Sequence, residues 1–213
     1  MAIKPILFNT EMVRAILDGR KTCTRRLVKI QPKDGEYTLV FTRKDAQIKT
    51  EKTTVKSPYK VGDILYVRET WCKYGKLDDL DQVIEGTEKY YYRADGENPT
   101  PYNHFLVQKK GYDEYREFPV WSPSIHMPKE AARIWLKVTN VRVERLQEIT
   151  IDGIRNEGLS SMAVHAGDME IAMKEWKNLW NSTIKKSDLD SYGWDANPWV
   201  WVIEFERCEK PEE

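Results

Sequence analysis

Apolar residues in this chain come in short bursts, and most of the bursts have the period of a strand. Ile3–Phe8 opens the chain as a short β-type run. Met12, Val13, Ile16 and Leu17 then recur at helical spacing, with Asn9 or Thr10 placed to cap the helix and Gly19 placed to end it in a left-handed turn. Thr22 to Ile30 has enough β-branched and apolar character to predict a strand leaving that turn. Residues 31–60 read as an excursion with a hairpin: Lys33-Asp34-Gly35-Glu36 supplies a turn, and Tyr37–Thr42 and Thr53–Val55 can pair. Gly62-Asp63 marks another turn, leading into a strand at Ile64–Arg68.

Regularity falls between residues 72 and 130. That stretch holds a β run at Lys89–Ala94, a loop at 95–101, and a short helical turn close to Pro123 and Pro128. Arg133–Leu146 is the longest strand expected, with Ile134, Leu136 and Val138 on one face and Val141 and Val143 following a bulge. Gln147–Asn156 predicts a short helix ending near Gly158. Asp168–Asn181 predicts a longer one, with an apolar stripe of Met169, Ala172, Met173, Trp176, Leu179 and Trp180. Trp199–Phe205 closes the chain as an apolar strand, Trp199 and Trp201 on one face and Val200 on the other. With no repeat, low-complexity segment or linker, short strands and few helices predict one α+β domain around a small mixed or antiparallel β-barrel.

Composition changes this picture in three ways. The 213 residues suffice to bury a core without staples. Lys+Arg and Asp+Glu both count 34, so net charge is zero and nucleic-acid binding would need a local basic face; no double-stranded DNA footprint is expected. Charge is uneven, however. Residues 20–30 are basic, whereas Asp78, Asp79, Asp81, Glu85 and Glu88 form an acidic stretch. Cys23, Cys72 and Cys208 are scattered without ligand spacing, which disfavours a disulfide framework or a zinc site and suits a reducing cytoplasm. No apolar run reaches a membrane span or a signal peptide. No carboxylate cluster suggests a metal, and no cofactor is expected.

The candidate chemistry concentrates at Gly19-Arg20-Lys21-Thr22-Cys23-Thr24-Arg25-Arg26, where four cations and two threonine hydroxyls follow the end of the first helix with no acid between them. The run could seat a phosphate. A plainer account lets Arg20 and Lys21 complement the negative end of the helix dipole, which leaves the rest of the run unexplained. Cys23 within it would be expected to have a lowered pKa. Together with Val61-Gly62-Asp63-Ile64-Leu65-Tyr66-Val67, the run resembles the ASCH domain, a branch of the PUA-like β-barrel superfamily. The signature Gly-x-Lys-x-x-(polar)-x-Arg falls on Gly19, Lys21, Thr24 and Arg26. The helix around Thr150–Gly158 and the strand Trp199–Phe205 look like further family elements. The Trp-rich segments at 67–71 and 192–199 are similar to long forms encoded by phages and prophages.

That resemblance implies a PUA-like barrel with flanking short helices and insertions near 31–57 and 72–130. It implies a cationic cleft for RNA, a nucleotide or a modified nucleoside, with Arg20, Arg25, Arg26, Glu69 and Trp71 as candidate ligand-binding residues. One branch of the family hydrolyses N4-acetylcytidine with a Lys, a Thr and a Glu, roles that fall by motif on Lys21, Thr24 and Glu157. Some relatives of the fold cleave RNA, which leaves ribonuclease action as a further alternative. The residues allow the hydrolytic reading on their own chemistry. A Thr hydroxyl needs a base to become a nucleophile, Lys21 would serve if Arg20, Arg25 and Arg26 depressed its pKa, and Glu157 could carry protons to the leaving amine. Glu69, after the strand at Ile64–Arg68, is a rival carboxylate whose plainer reading is an ion pair with a neighbouring Arg. Trp71, Trp121 and Trp194 are expected mainly in packing, and His104, His126 and His165 are isolated, His126 being the one worth testing.

Overall fold

The computed structural model describes residues 1–32, 37–42, 44–51, 53–76, 78, 84–96 and 120–212, and the backbone alone of 104–106. The turn expected at Lys33–Glu36, Asp79 and Asp81 of the acidic stretch, most of the 95–101 loop and the His104 side chain lie outside the described residues. The strands and helices in chain order begin with β1 (Ile3–Leu7), α1 (Thr10–Leu17) and β2 (Cys23–Leu27). Next come β3 (Tyr37–Phe41), β4 (Ala46–Thr50), β5 (Thr54–Lys56), β6 (Ile64–Arg68), β7 (Trp71–Lys76), β8 (Lys89–Tyr92) and β9 (His104–Leu106). The chain ends with β10 (Trp135–Arg145), α2 (Ile151–Asn156), α3 (Met162–Ala166), α4 (Met169–Ser182), α5 (Leu189–Tyr192) and β11 (Trp199–Cys208). The fold is α+β. One five-stranded sheet has the order β1-β6-β10-β11-β2, and two three-stranded sheets have the orders β3-β4-β5 and β8-β7-β9.

Backbone contacts divide the chain into two units. The first comprises Met1–Lys4, Ala15–Leu65 and Trp135–Glu213, and the second Pro5–Arg14 and Tyr66–Ile134. In the first unit β11 pairs antiparallel with β10 on one side and β2 on the other, so Val202 faces both Arg142 and Arg25 across the ladder. Alternation then puts Cys23, Arg25, Val200, Val202, Arg142 and Glu144 on one face, and Thr24, Arg26, Trp201, Ile203, Val141 and Val143 on the other. The register shifts between Val138 and Asn140, the bulge expected in the long strand. Val200 and Trp201 are both buried, so β11 is covered on both faces. On the first face Cys23, Val200 and Val202 pack with Leu146, Ile149, Ile154, Val164, Ala172, Trp176 and Trp180. This is where the helical apolar stripe is buried.

Local chemistry sets the helix boundaries. Asn9 Oδ1 accepts from the Met12 amide (2.8 Å) at the start of α1, and Gly19 (φ 74°) turns the chain out of it. Asp168 Oδ1 accepts from the Ile171 amide (3.1 Å) and starts α4. The expected helix at Gln147–Asn156 is shorter than its pattern. Leu146–Glu148 forms a 3-10 turn, Ile149 is extended, and Thr150 caps α2 by accepting from the Gly153 amide. A threonine oxygen that satisfies an amide in this way moves the helix start to Ile151.

Three other expectations are corrected. Tyr37–Thr42 and Thr53–Val55 do not pair with each other, because β4 lies between β3 and β5 and pairs with both. The strand from Thr22 ends at Leu27, where Gln31 Nε2 donates to the carbonyls of Val28 (2.6 Å) and Trp199 (3.1 Å). The 72–130 stretch also holds more sheet than its pattern suggests: β7 pairs with β8, the shortened form of the expected Lys89–Ala94 run, and with β9. Cys72 and Tyr74 of β7 are both buried, as are Trp71 and Gly75, so no inside–outside alternation marks that strand.

Gly158 is required by its surroundings. Its φ is 96°, and an added Cβ would lie 2.7 Å from the Ala15 Cβ and 3.0 Å from the Lys21 Cβ. Gly158→Ala is therefore expected to destabilise the protein by about 1–3 kcal/mol from backbone strain, with further cost from overlap. Urea unfolding of wild type and variant measures this directly, and equal midpoints would refute it.

Candidate functional site

The sequence signature is folded into a buried ion-pair array. The backbone of Lys21 forms an isolated antiparallel bridge with Glu157, just after α2, and the Thr22 amide donates to the Asn156 carbonyl (2.8 Å). These contacts dock the α2 end onto the entry to β2, which is the edge strand of the five-stranded sheet. Lys21 Nζ lies 2.5 Å from Glu157 Oε2 and donates also to the Glu157 carbonyl at 3.0 Å. The other carboxylate oxygen, Oε1, accepts from Arg25 Nη1 at 3.2 Å. Side-chain exposure is 0% for Lys21 and 2% for both Glu157 and Arg25.

Arg25 is held further by Glu144 of β10, whose Oε1 accepts from Nε (3.0 Å) and Nη2 (2.7 Å). Glu144 Oε2 accepts from Arg142 Nε (3.1 Å), Arg142 in turn pairs with Glu204, and Glu204 Oε2 accepts from Asn140 Nδ2 (3.3 Å). Burial pushes the Arg25 guanidinium down, and the carboxylates of Glu157 and Glu144 outweigh burial and hold it above the ordinary arginine value. The array alternates in sign, so buried charge is met by opposite charge within hydrogen-bond reach.

The remaining members of the signature lie differently. Arg20 is partly exposed at the end of α1, where its guanidinium pairs with Asp18 (2.8 Å) and donates to the Gly158 carbonyl (2.6 Å). Thr24 is buried on the face of β2 opposite Arg25, and among the described residues no hydrogen bond joins its hydroxyl to Lys21 or Glu157. Arg26 shares the Thr24 face. Burial lowers its pKa against the opposing pull of Tyr59 and Glu157, and burial raises the Tyr59 phenol. Three of the four cations of the run (Arg20, Lys21 and Arg25) thus meet carboxylates that come from elsewhere in the sequence or from Asp18.

Cys23 corrects the expectation of a lowered pKa. Burial and the Glu157 carboxylate push its thiol up to about 12, against smaller opposing effects of Arg25, Lys21 and Arg142. The local cations are there, but the carboxylate they bind faces the sulfur too. At neutral pH Cys23 is a packed thiol.

Glu69 and Trp71 belong to the second unit. Arg133 grips Glu69 with Nε to Oε1 and Nη2 to Oε2, both at 3.0 Å, and also pairs with Asp95 (2.8 Å). Its guanidinium stacks 4.0 Å from the Tyr92 ring centre, and Tyr92 donates to the Ala131 carbonyl (2.6 Å). Burial raises the Glu69 carboxyl, and the hydrogen bonds and charge of Arg133 offset only part of that. The partner of Glu69 is therefore an arginine distant in sequence, not the adjacent Arg68. Trp71 is buried against Tyr90, ring centres 5.7 Å apart. Trp121 and Trp194 are half-buried.

His126 is exposed in a 3-10 turn, and His165 places Nδ1 2.8 Å from the Ser161 carbonyl oxygen. Among the described residues, no three His, Cys, Asp or Glu side chains form a group able to hold a metal ion. No helix there is long and apolar enough to cross a membrane. Residues that sequence reasoning missed are Glu144, Arg142, Glu204 and Arg133. Period-2 alternation around Val141 and Val143 could have shown that Arg142 and Glu144 share a face, but not what that face meets.

No family model matches the chain, and no curated protein matches it at a significant level. Among solved structures, a crystal structure of an ASCH domain from Lactobacillus crispatus is similar over 97% of this chain and 79% of that chain, with 10% identity and a TM-score of 0.36. A TM-score of that size leaves the function to be read from the residues themselves.

Proposed function

We propose that this protein is an ASCH-type domain that takes a modified nucleoside, and that it removes an acyl group from the exocyclic amine of a cytidine-type base. The observation that carries the reading is the Lys21–Glu157 pair, 2.5 Å apart and buried although the two residues are 136 positions apart in sequence. A buried ammonium–carboxylate pair places a proton donor and a proton acceptor within hydrogen-bond reach of each other. In the proposed reaction the Thr24 hydroxyl adds to the acyl carbon and yields its proton to the pair. The pair returns that proton to the nitrogen as the C–N bond breaks. Water then cleaves the acyl–threonine ester and restores the hydroxyl. The reading requires the Thr24 hydroxyl, on the face of β2 opposite Arg25, to come within reach of the pair around the substrate.

The test is incubation with N4-acetylcytidine and mass-spectrometric detection of cytidine and acetate. Lys21→Ala and Thr24→Ala should each lower turnover at least about 10²-fold, the lower range for loss of an acid–base group. Unchanged turnover in both would refute the reading. A second reading, nucleotide or RNA binding without chemistry, is favoured by the partly exposed Arg20 guanidinium at the end of α1. It predicts affinity that falls steeply with salt and weakens in Arg20→Ala.

A further inference from the structure

We propose that Glu144 is a positioning residue for Glu157, acting through Arg25 and fixing which carboxylate oxygen is offered to Lys21. This rests on the reading of Lys21 and Glu157 as the proton-handling pair. Glu144 touches neither of them. Its Oε1 takes the Nε and Nη2 edge of Arg25, which leaves Nη1 aimed at Glu157 Oε1. A guanidinium offers two hydrogen-bonding edges to carboxylates, and a fork gripping both oxygens of one carboxylate is its strongest arrangement. With the Nε–Nη2 edge on Glu144, Arg25 gives Glu157 one bond, from Nη1 to Oε1, and Oε2 is held by Lys21.

The surroundings close off other arrangements of Arg25. A Cβ on Gly153 would lie 3.1 Å from Arg25 Nη2, so the α2 backbone packs directly against the guanidinium. The Trp176 ring centre lies 5.9 Å from the guanidinium carbon on the helical side. Glu144 is itself fixed by Arg142, which Glu204 holds in turn. The lateral chain from Asn140 to Arg25 therefore behaves as a bracket that reaches Lys21 through Glu157. Loss of Glu144 removes the grip on the Nε–Nη2 edge, so the direction of Nη1, and with it the placement of the Glu157 carboxylate against Lys21, is no longer fixed.

The measurement is the ¹⁵N signal of the Lys21 ammonium in the full chain, assigned with Lys21→Arg, in wild type, Glu144→Ala and Glu144→Gln. Turnover of N4-acetylcytidine is recorded alongside. Positioning predicts that the Lys21 signal moves in Glu144→Ala while other lysine signals stay in place. It also predicts a kcat loss of up to about 10²-fold, the scale of an ångström-sized misplacement, at unchanged KM. Glu144→Gln, which keeps an acceptor oxygen for Arg25, should recover part of both. General loosening would instead move many lysine signals and raise KM. If Glu144→Ala does not fold, Glu144→Gln carries the test, with an intermediate shift expected. A Lys21 signal unchanged in a folded variant overturns the proposal whatever the activity. A moved Lys21 signal in a protein whose wild type releases no cytidine leaves the bracket standing and refutes the hydrolase reading instead.

Discussion

Glu157→Ala should lower the melting temperature by roughly 6–20 °C, the largest single-residue effect expected at the site. The replaced carboxylate is the shared partner of Lys21 and Arg25, both with side-chain exposure of 2% or less. Its loss removes from a buried site the carboxylate that holds the Lys21 ammonium and the Nη1 end of Arg25. Removing one partner of a buried ion pair typically costs about 3–5 kcal/mol. For a chain of this size each kcal/mol shifts the midpoint by about 2–4 °C, which yields the quoted range. Lys21→Met should cost less, because Glu157 keeps Arg25 and the methionine stem fills the space that the lysine stem occupied. The double variant Lys21→Met/Glu157→Ala should fall short of the sum of the single losses, since the ammonium that Glu157 holds leaves with the lysine. Differential scanning calorimetry of the four proteins decides it: strict additivity, or a Glu157→Ala shift below about 2 °C, would mean that water or another group satisfies the cations.

Arg133→Met should destabilise the second unit most at neutral pH and progressively less on acidification. Glu69 is 1% exposed, and Arg133 is its two-bonded partner. Partial exposure of Arg133 trims the expected neutral-pH loss to about 2–4 kcal/mol, below the top of the buried-pair range. The pH dependence follows from the raised folded-state pKa of Glu69. A carboxyl that titrates higher folded than unfolded binds more protons in the folded state within the window between the two values. Stability therefore falls as pH rises through that window and is regained as pH drops back through it. Removing Arg133 removes the main influence that lowers this pKa, so the window extends upwards and the loss above it grows. Near pH 4, around the ordinary glutamate value, the unfolded carboxyl is mostly protonated as well and the penalty from Glu69 shrinks. Chemical unfolding at pH 7 and near pH 4 should show the gap between wild type and Arg133→Met closing. A gap that stays constant or widens in acid would place its cause in lost packing of Arg133 on Tyr92.

How much of this was readable beforehand differs by element. α1, β6, the bulged β10, α4 and β11 were legible because each has a hydrophobic period of its own together with a local stop or start: Asn9, Gly19, Gly62 or Asp168. β7 was not, since it is buried on both faces and shows no alternation. β4 was not legible either. Ala46–Thr50 carries few apolar residues, and its place is set by two strands that flank it. The start of α2 was misjudged because Thr150 competes with the helix through its own hydroxyl.

At the site the contrast is sharper. The sequence placed Lys21, Thr24 and Arg26 in one signature, and on residues alone that run reads as an open cationic seat. Its acidic counterparts are remote: Glu157 reaches Lys21 across 136 positions and Glu144 reaches Arg25 across 119. Charge counted along a chain says nothing of charge brought in from elsewhere, and the same omission made Cys23 look reactive.

What the sequence determined by itself is the set of local elements and the residue types at the end of α1, because capping, turn conformation and hydrophobic period act over a few residues. Only the tertiary structure decided that Lys21 and Arg25 are buried and neutralised, that Thr24 and Arg25 sit on opposite faces of β2, and that Glu69 belongs to Arg133. Those outcomes depend on strand register and on the docking of α2 against the sheet edge. A buried charge is stable only when such long-range packing brings it a partner.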